Sequence, residues 1–187
     1  MKLLILVIAF SFSLICASAQ TSISMETQVY PAGFLPGLRL DYAINDKVQL
    51  FARGAFNFTN RRDWGVQDNE EGNGAGFGIG AEFKNSRIKN LSLNIRADLW
   101  FMDIDYYNTE TICPIVPPCF DLRINGQSDV TVLQPTLGFG YQIPISNSFF
   151  LKPSLNLGYE INIRTKGEDV GEGAIFLGGV QLGYRFY

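Results

Sequence analysis

The stretch AIFLGGVQLGYRFY, residues 174–187, decides the fold. Its even positions are Ala174, Phe176, Gly178, Val180, Leu182, Tyr184 and Phe186, and its odd positions include Gln181, Gly183 and Arg185. Alternation with a period of two puts apolar side chains on one face of a β-strand and polar ones on the other. The segment runs without a break into two aromatics, Phe186 and Tyr187. A strand with one apolar face must bury it against something, so the preceding chain is expected to supply further strands.

It reads that way throughout. Ser22 to Tyr30 sets Ile23, Met25, Thr27 and Val29 against Ser24, Glu26 and Gln28. Leu38 to Ile44 sets Leu38, Leu40, Tyr42 and Ile44 against Arg39, Asp41 and Ala43. Lys47 to Phe58 opposes Val48, Leu50, Ala52, Phe56 and Phe58 to Gln49, Arg53 and Asn57. Gly74 to Phe83 opposes Ala75, Phe77, Ile79, Ala81 and Phe83 to Gly76, Gly78, Gly80 and Glu82. Leu91 to Phe101, Leu133 to Ile143 and Phe149 to Ile163 continue the plan, with Arg96, Asp98 and Trp100, then Gln134 and Thr136, then Lys152, Asn156 and Glu160 on their polar faces. With the closing segment the strands number eight.

Turn signals separate them. The connections at Asn45-Asp46, Lys84 to Asn90 and Ser146-Asn147 are short. The tight segment 31–36 and the loops 61–73, 108–127 and 165–173 lie at the other end, 108–127 being the longest. The strands have the ~9–11 residues that carry a tilted strand across a bilayer. Pro135 and Pro153 each remove a ladder donor and are expected near strand ends, at a bulge or rim position.

Alternation alone does not say which face is inside, since a soluble up-and-down barrel of lipocalin type alternates too. Soluble exteriors favour Lys and Glu, yet the polar faces carry Gly76, Gly78, Gly80, Gly138, Gly140, Gly158 and Gly183 and one central lysine, Lys152. Small residues suit a narrow interior. The charges on these faces also balance, Arg39, Arg53, Arg96, Lys152 and Arg185 against Glu26, Asp41, Glu82, Asp98 and Glu160. An eight-stranded barrel is only wide enough to be filled by its own side chains, so charges within it must pair. Those ten residues are the expected lumen network. The expected fold class is all-β, an eight-stranded antiparallel up-and-down transmembrane β-barrel.

A chain of 187 residues has room for one domain. Residues 1–19 read as a secretory signal peptide, with Lys2, the apolar run Leu3 to Ile15 and the small-residue site Ala17-Ser18-Ala19 ahead of Gln20, leaving residues 20–187 as the barrel domain. Cys16 raises a lipoprotein alternative, but the residue before a lipidated Cys is normally small and here it is Ile15. Past residue 19 no run of 18 apolar residues suggests a membrane helix. A net charge of −3 with no strongly basic face argues against nucleic acid.

On the eight alternating segments and the closing Leu182, Tyr184, Phe186 and Tyr187, residues 20–187 resemble the small eight-stranded bacterial outer-membrane barrels of the OmpA-transmembrane and OmpX type, the "outer membrane protein beta-barrel domain" family. The resemblance implies export to the bacterial outer membrane, with outer-membrane lipid and lipopolysaccharide as surroundings. It also implies that those four C-terminal residues are read by the barrel-assembly machinery. It places the termini and short turns in the periplasm and leaves the activity open.

Barrel enzymes of this kind depend on His, the one side chain that titrates unperturbed near neutral pH. This chain has none, so no catalytic or cofactor-binding residue is assigned. Asp103 and Asp105 share one strand face near the outer rim and read as a solvated acidic rim, a weak Ca²⁺ site being the sharper alternative. Cys113 and Cys119, in TICPIVPPCF, are expected to form a disulfide in an oxidising compartment. The functional expectation is a non-enzymatic envelope or surface protein. Its contact surface is the stapled loop with Trp64, Tyr106 and Tyr107, facing an extracellular ligand or protein across acidic loops bearing Asp63, Asp68, Glu70, Glu71, Glu168, Asp169 and Glu172. The alternative is a narrow channel for small solutes or ions through the polar lumen.

Overall fold

The computed structural model describes residues 21–62, 65–85, 87–113 and 118–186, so the expected signal peptide, Trp64, Asp63 and Tyr187 lie outside the described residues. Strands follow in the order β1 (Thr21–Tyr30), β2 (Gly33–Ala43), β3 (Val48–Asn60), β4 (Asn69–Lys84), β5 (Leu91–Ile112), β6 (Phe120–Tyr141), β7 (Ile143–Pro144), β8 (Phe149–Lys166) and β9 (Gly173–Phe186). Chain neighbours from β1 to β6 pair antiparallel, as do β8 and β9. β1 also pairs with β9 through Met25↔Leu182, and β6 with β8 through Leu137↔Leu157, so the sheet closes on itself. The two residues of β7 continue β6 past Gln142, and the barrel is eight-stranded.

Both prolines stand inside strands rather than near their ends, and the sheet forgoes rungs beside each. The β6–β8 ladder skips between Leu133↔Ile161 and Thr136↔Gly158, next to Pro135. It stops at Gly140↔Ser154 and resumes as Ile143↔Leu151, skipping the residues opposite Pro153, which has no N–H to donate. That second gap is what separates β7 from β6.

The turns at the end carrying the termini are closed by side chains. Asn45 Oδ1 accepts from the N–H groups of Lys47 and Val48, Asn85 Oδ1 from those of Arg87 and Ile88, and Ser146 Oγ from that of Phe149. At the opposite end the strands run further than alternation suggests. β2 begins at Gly33, β4 at Asn69, and β5 and β6 reach Ile112 and Phe120. The expected 108–127 loop is therefore mostly ladder, a two-stranded extension of the barrel wall.

The expected faces are the observed ones. Outward positions such as Met25, Leu38, Phe56, Ile79, Leu137, Leu157 and Phe176 are exposed and apolar, while Glu26, Arg39, Arg53, Asp98, Lys152 and Gln181 are buried inside. The inward glycines make room for large side chains on the next strand. A Cβ at Gly76 would meet the Trp100 ring, at Gly78 the Asp98 carboxylate, at Gly80 the Phe51 ring and at Gly183 the Phe150 ring. Interiors packed this closely do not absorb an added carbon freely.

Gly76→Val is accordingly expected to cost about 1–3 kcal/mol of unfolding free energy through overpacking against Trp100. Gly54→Ala, where a Cβ meets open space on the outer face, is expected to stay within about 0.5 kcal/mol of wild type. Urea unfolding of the refolded protein in vesicles measures both.

Candidate functional site: the filled lumen and the loop end

Two ionic clusters fill the interior toward the terminal end. In the first, Arg39 donates through Nε and Nη2 to Asp41 Oδ1 (2.8 and 2.7 Å) and through Nη2 to Glu82 Oε2 (2.8 Å), and Lys152 pairs with the same Glu82. The Arg39 guanidinium lies 3.6 Å from the centroid of the Phe51 ring, and Gln181 reaches Ser24 Oγ (2.6 Å) and Asp41 Oδ2 (3.5 Å). In the second, Glu26 Oε1 accepts from Nη1 of Arg53 (3.2 Å) and of Arg96 (3.1 Å). Gln28 Oε1 accepts from the same two side chains at 2.9 and 2.8 Å. Asp98 closes it with charge contacts to Arg53 Nε (3.4 Å) and Arg96 Nε (2.6 Å). Each cluster matches two cations with two carboxylates, the condition under which burying charge is tolerable.

Above them the filling changes character. Leu35, Ala55, Trp100, Met102, Ile104, Val130, Val132, Val170, Ile175 and Leu177 form one buried apolar group drawn from β2, β3, β5, β6, β9 and the β8–β9 connection. Trp100 Nε1 donates to Gln134, so the largest of these side chains is anchored by its polar atom.

A third ionic group closes the loop end. Glu70 is fully buried, its carboxylate accepting from the N–H groups of Val66 (2.7 Å), Gln67 (3.2 Å) and Gly171 (2.9 and 3.0 Å) and from Arg61 Nη1 (3.1 Å). Arg61 also donates to the Gly171 carbonyl and, through Nη2, to Glu160 Oε2 (3.0 Å). Burial alone would lower the Arg61 pKa, but the Glu160 and Glu70 carboxylates outweigh it and hold the guanidinium above its ordinary value. Gln67 Nε2 donates to the Asp169 carbonyl (2.8 Å), tying the β3–β4 connection to the β8–β9 one, and Ser128 Oγ on β6 donates to the Glu168 carbonyl (2.7 Å).

Of the ten expected lumen residues, eight assemble in the two lower clusters: Glu26, Arg39, Asp41, Arg53, Glu82, Arg96, Asp98 and Lys152. Glu160 sits apart with Arg61. Arg185 lies at the terminal-end mouth, its guanidinium 5.1 Å from the Phe150 ring centroid, with no carboxylate paired to it among the described residues. Arg61 and Glu70, which fall within the expected 61–73 loop, are interior residues instead. Their signal is parity, since Arg61 continues the inward positions Asn57 and Thr59, and Glu70 those of Gly72 and Gly74.

Beyond Asn69↔Tyr107 and Asp129↔Lys166 the β5–β6 ribbon has no strand on either side and continues to Ile112↔Phe120. Its tip is closed by the Cys113–Cys119 disulfide. One face exposes Ile112, Phe120, Leu122 and Ile124. On the other, Arg123 stacks over Tyr107 (3.7 Å to the ring centroid) and Thr111 Oγ1 donates to Asp121 (2.6 Å). Tyr106 points inward and is half-buried, leaving Tyr107 as the aromatic on the outer face. Asp103 and Asp105 are exposed there too, opposite Asp129 and Gln127, and no group of three or more metal-ligating side chains assembles among the described residues. At the terminal end Leu182 pairs with Met25, and the Tyr184 ring packs edge-on to Phe149 (5.0 Å) and Phe186 (5.1 Å).

No protein-family model and no curated protein matches the chain. Solved structures do. A major outer membrane protein from Thermus thermophilus superposes with a TM-score of 0.52 at 11% identity, covering 89% of this chain and 99% of that one. Acinetobacter baumannii CarO superposes with a TM-score of 0.51 at 15% identity, covering 88% of this chain and 97% of that one. At such identities the likeness is one of fold.

Arg96→Ala leaves Glu26 and Asp98 sharing Arg53 alone, and is expected to cost about 3–5 kcal/mol. An unfolding midpoint equal to that of wild type would contradict the cluster assignment.

Proposed function

We propose that this chain is a non-enzymatic protein of the bacterial outer membrane, a sealed barrel that holds the stapled β5–β6 hairpin above the surface as a contact element. The observation that carries this reading is the change of outward-facing chemistry along β5. Leu91, Leu93, Ile95, Ala97, Leu99 and Phe101 are apolar, and Asp103, Asp105, Tyr107, Thr109 and Thr111 after them are not. The apolar stretch is about 33 Å long at ~3.3 Å per residue, or roughly 25 Å high at the usual tilt, the height of a lipid-facing belt. Everything past Asp103 then stands in water. The edge of that belt favours a membrane barrel over a soluble one, whose exterior would be polar along its whole length.

The surroundings that suit this reading are outer-membrane lipid and lipopolysaccharide, with insertion by the barrel-assembly machinery at the aromatic end of β9. The hairpin has the form of a contact surface: two unpaired edges, an exposed apolar face and a covalent tip. Exposed carboxylates around it, among them Asp103, Asp105, Glu110, Asp121, Glu168 and Asp169, outnumber Arg62, Arg123, Arg164 and Lys166, which favours a basic protein partner. The narrow channel finds less support. Neutral ionic clusters, an apolar layer and the Arg61 group succeed one another along the lumen.

Deleting residues 109–126 and joining the strands by a short turn is expected to preserve the heat-dependent gel shift of a folded barrel while abolishing adhesion of expressing cells to protein-coated surfaces. Adhesion that survives the deletion sinks the contact reading. Folded protein in planar bilayers is expected to give no steady conductance steps, and reproducible openings would restore the channel.

A further inference from the structure

The loop-end ionic group differs from the two below it. There, cations and carboxylates match two for two, whereas Arg61 alone serves both Glu70 and Glu160. Glu70 spreads its charge over the amides of Val66, Gln67 and Gly171. Glu160, also buried, has no cation besides the shared Arg61 among the described residues. A buried carboxylate with half a counterion is a place where a further positive charge is stabilised.

A cavity of about 310 Å³ opens beside it, between the Tyr30–Ala32 turn and the start of β9. Its polar side holds Glu160, Glu172 and the shared Arg61, and its apolar side is Pro31, Ile175 and Phe176. Ile175 faces the lumen and Phe176 the exterior, so the cavity lies at the rim where the two faces meet. We infer that it binds a primary ammonium carried on a short apolar stem, the ammonium against Glu160 and Glu172 and the stem against Pro31, Ile175 and Phe176. An anion would meet two carboxylates and an arginine already committed to Glu70, Glu160 and the Gly171 carbonyl. A divalent metal would find no third ligand side chain, because no such group assembles among the described residues. Two sources present this chemistry: a free alkylamine, or the ethanolamine headgroup of a phospholipid. The second rests on the outer-membrane reading above, and the first does not.

The test is a titration of the folded full chain in maltoside micelles with n-butylammonium chloride, n-butanol and sodium butyrate at constant ionic strength, followed by NMR at the Ile175 methyls and the Tyr30 ring. Saturable shifts are expected with n-butylammonium alone. Glu172→Gln, at an exposed position, is expected to raise the midpoint about fivefold. Glu160→Gln is expected to raise it tenfold or more, if that variant folds. Shifts of equal size with n-butanol, no saturation with n-butylammonium, or a Glu172→Gln midpoint equal to that of wild type would each overturn the site. In nanodiscs, weaker n-butylammonium binding with phosphatidylethanolamine than with phosphatidylcholine assigns the site to the lipid headgroup, and equal binding assigns it to a free amine. A barrel that fails to insert into vesicles yet binds n-butylammonium in micelles would remove the membrane reading and keep the site.

Discussion

Arg53 and Arg96 lie side by side in the middle of the barrel, held between Glu26 and Asp98 with Gln28 bridging them. Guanidinium groups so placed repel each other and have lost their water, so the structure depends on both carboxylates being present. That requirement reaches outward. Glu26 comes from β1, Arg53 from β3, and Arg96 and Asp98 from β5, so the cluster forms only when three strands hold one register. It also needs volume, which the β4 glycines supply. Gly78 lies between Arg53 and Asp98 in the ladder and leaves room for the Asp98 carboxylate.

The same strand does different work at different heights, and β5 makes this plain. Its inward positions run from Ser92, Asn94, Arg96 and Asp98 through Trp100, Met102 and Ile104, while its outward positions run from apolar to acidic and hydroxylated. The two faces exchange polarity near residues 100 to 103. Below that level the barrel is polar inside and apolar outside, as a lipid-embedded wall must be. Just above it the β5 inward positions Trp100, Met102 and Ile104 are apolar and the outward ones polar, as in a protein surrounded by water. A ribbon protruding past its neighbours keeps its apolar inward face, with Phe120, Leu122 and Ile124 exposed.

This exchange explains what was and was not legible in the sequence. Eight strands, their faces and the short turns followed from alternation and from Asn and Ser at turn positions, because below the exchange level the outward face is consistently apolar. The upper ends of β4, β5 and β6 were not legible, since the outward apolar signal stops at Phe101 although the ladder runs on to Ile112. Arg61 and Glu70 resemble loop charges because their neighbours Arg62, Asp68 and Glu71 are polar, and only inward parity, carried two residues further, separates them. The apolar layer is hidden for a related reason. In GFLPGLRL, Leu35 and Phe34 are equally apolar, and only parity carried back from Arg39 and Leu38 separates Leu35, which fills the lumen, from Phe34, which stacks outside on Phe58.

The buried charges are better understood as specifying an arrangement than as adding to its stability. Ion pairs of this kind seldom outweigh the cost of dehydrating both partners, and apolar side chains of the same volume would often do as well. A barrel, however, can close with its strands slipped, and a one-residue slip of β3 would turn Arg53 outward and take a cation from Glu26 and Asp98. In lipid that error is far more costly than in water, because an outward arginine near mid-belt costs roughly 2–4 kcal/mol on its own. The matched clusters therefore penalise a slipped strand, and the charges that line the lumen are the ones that set its register.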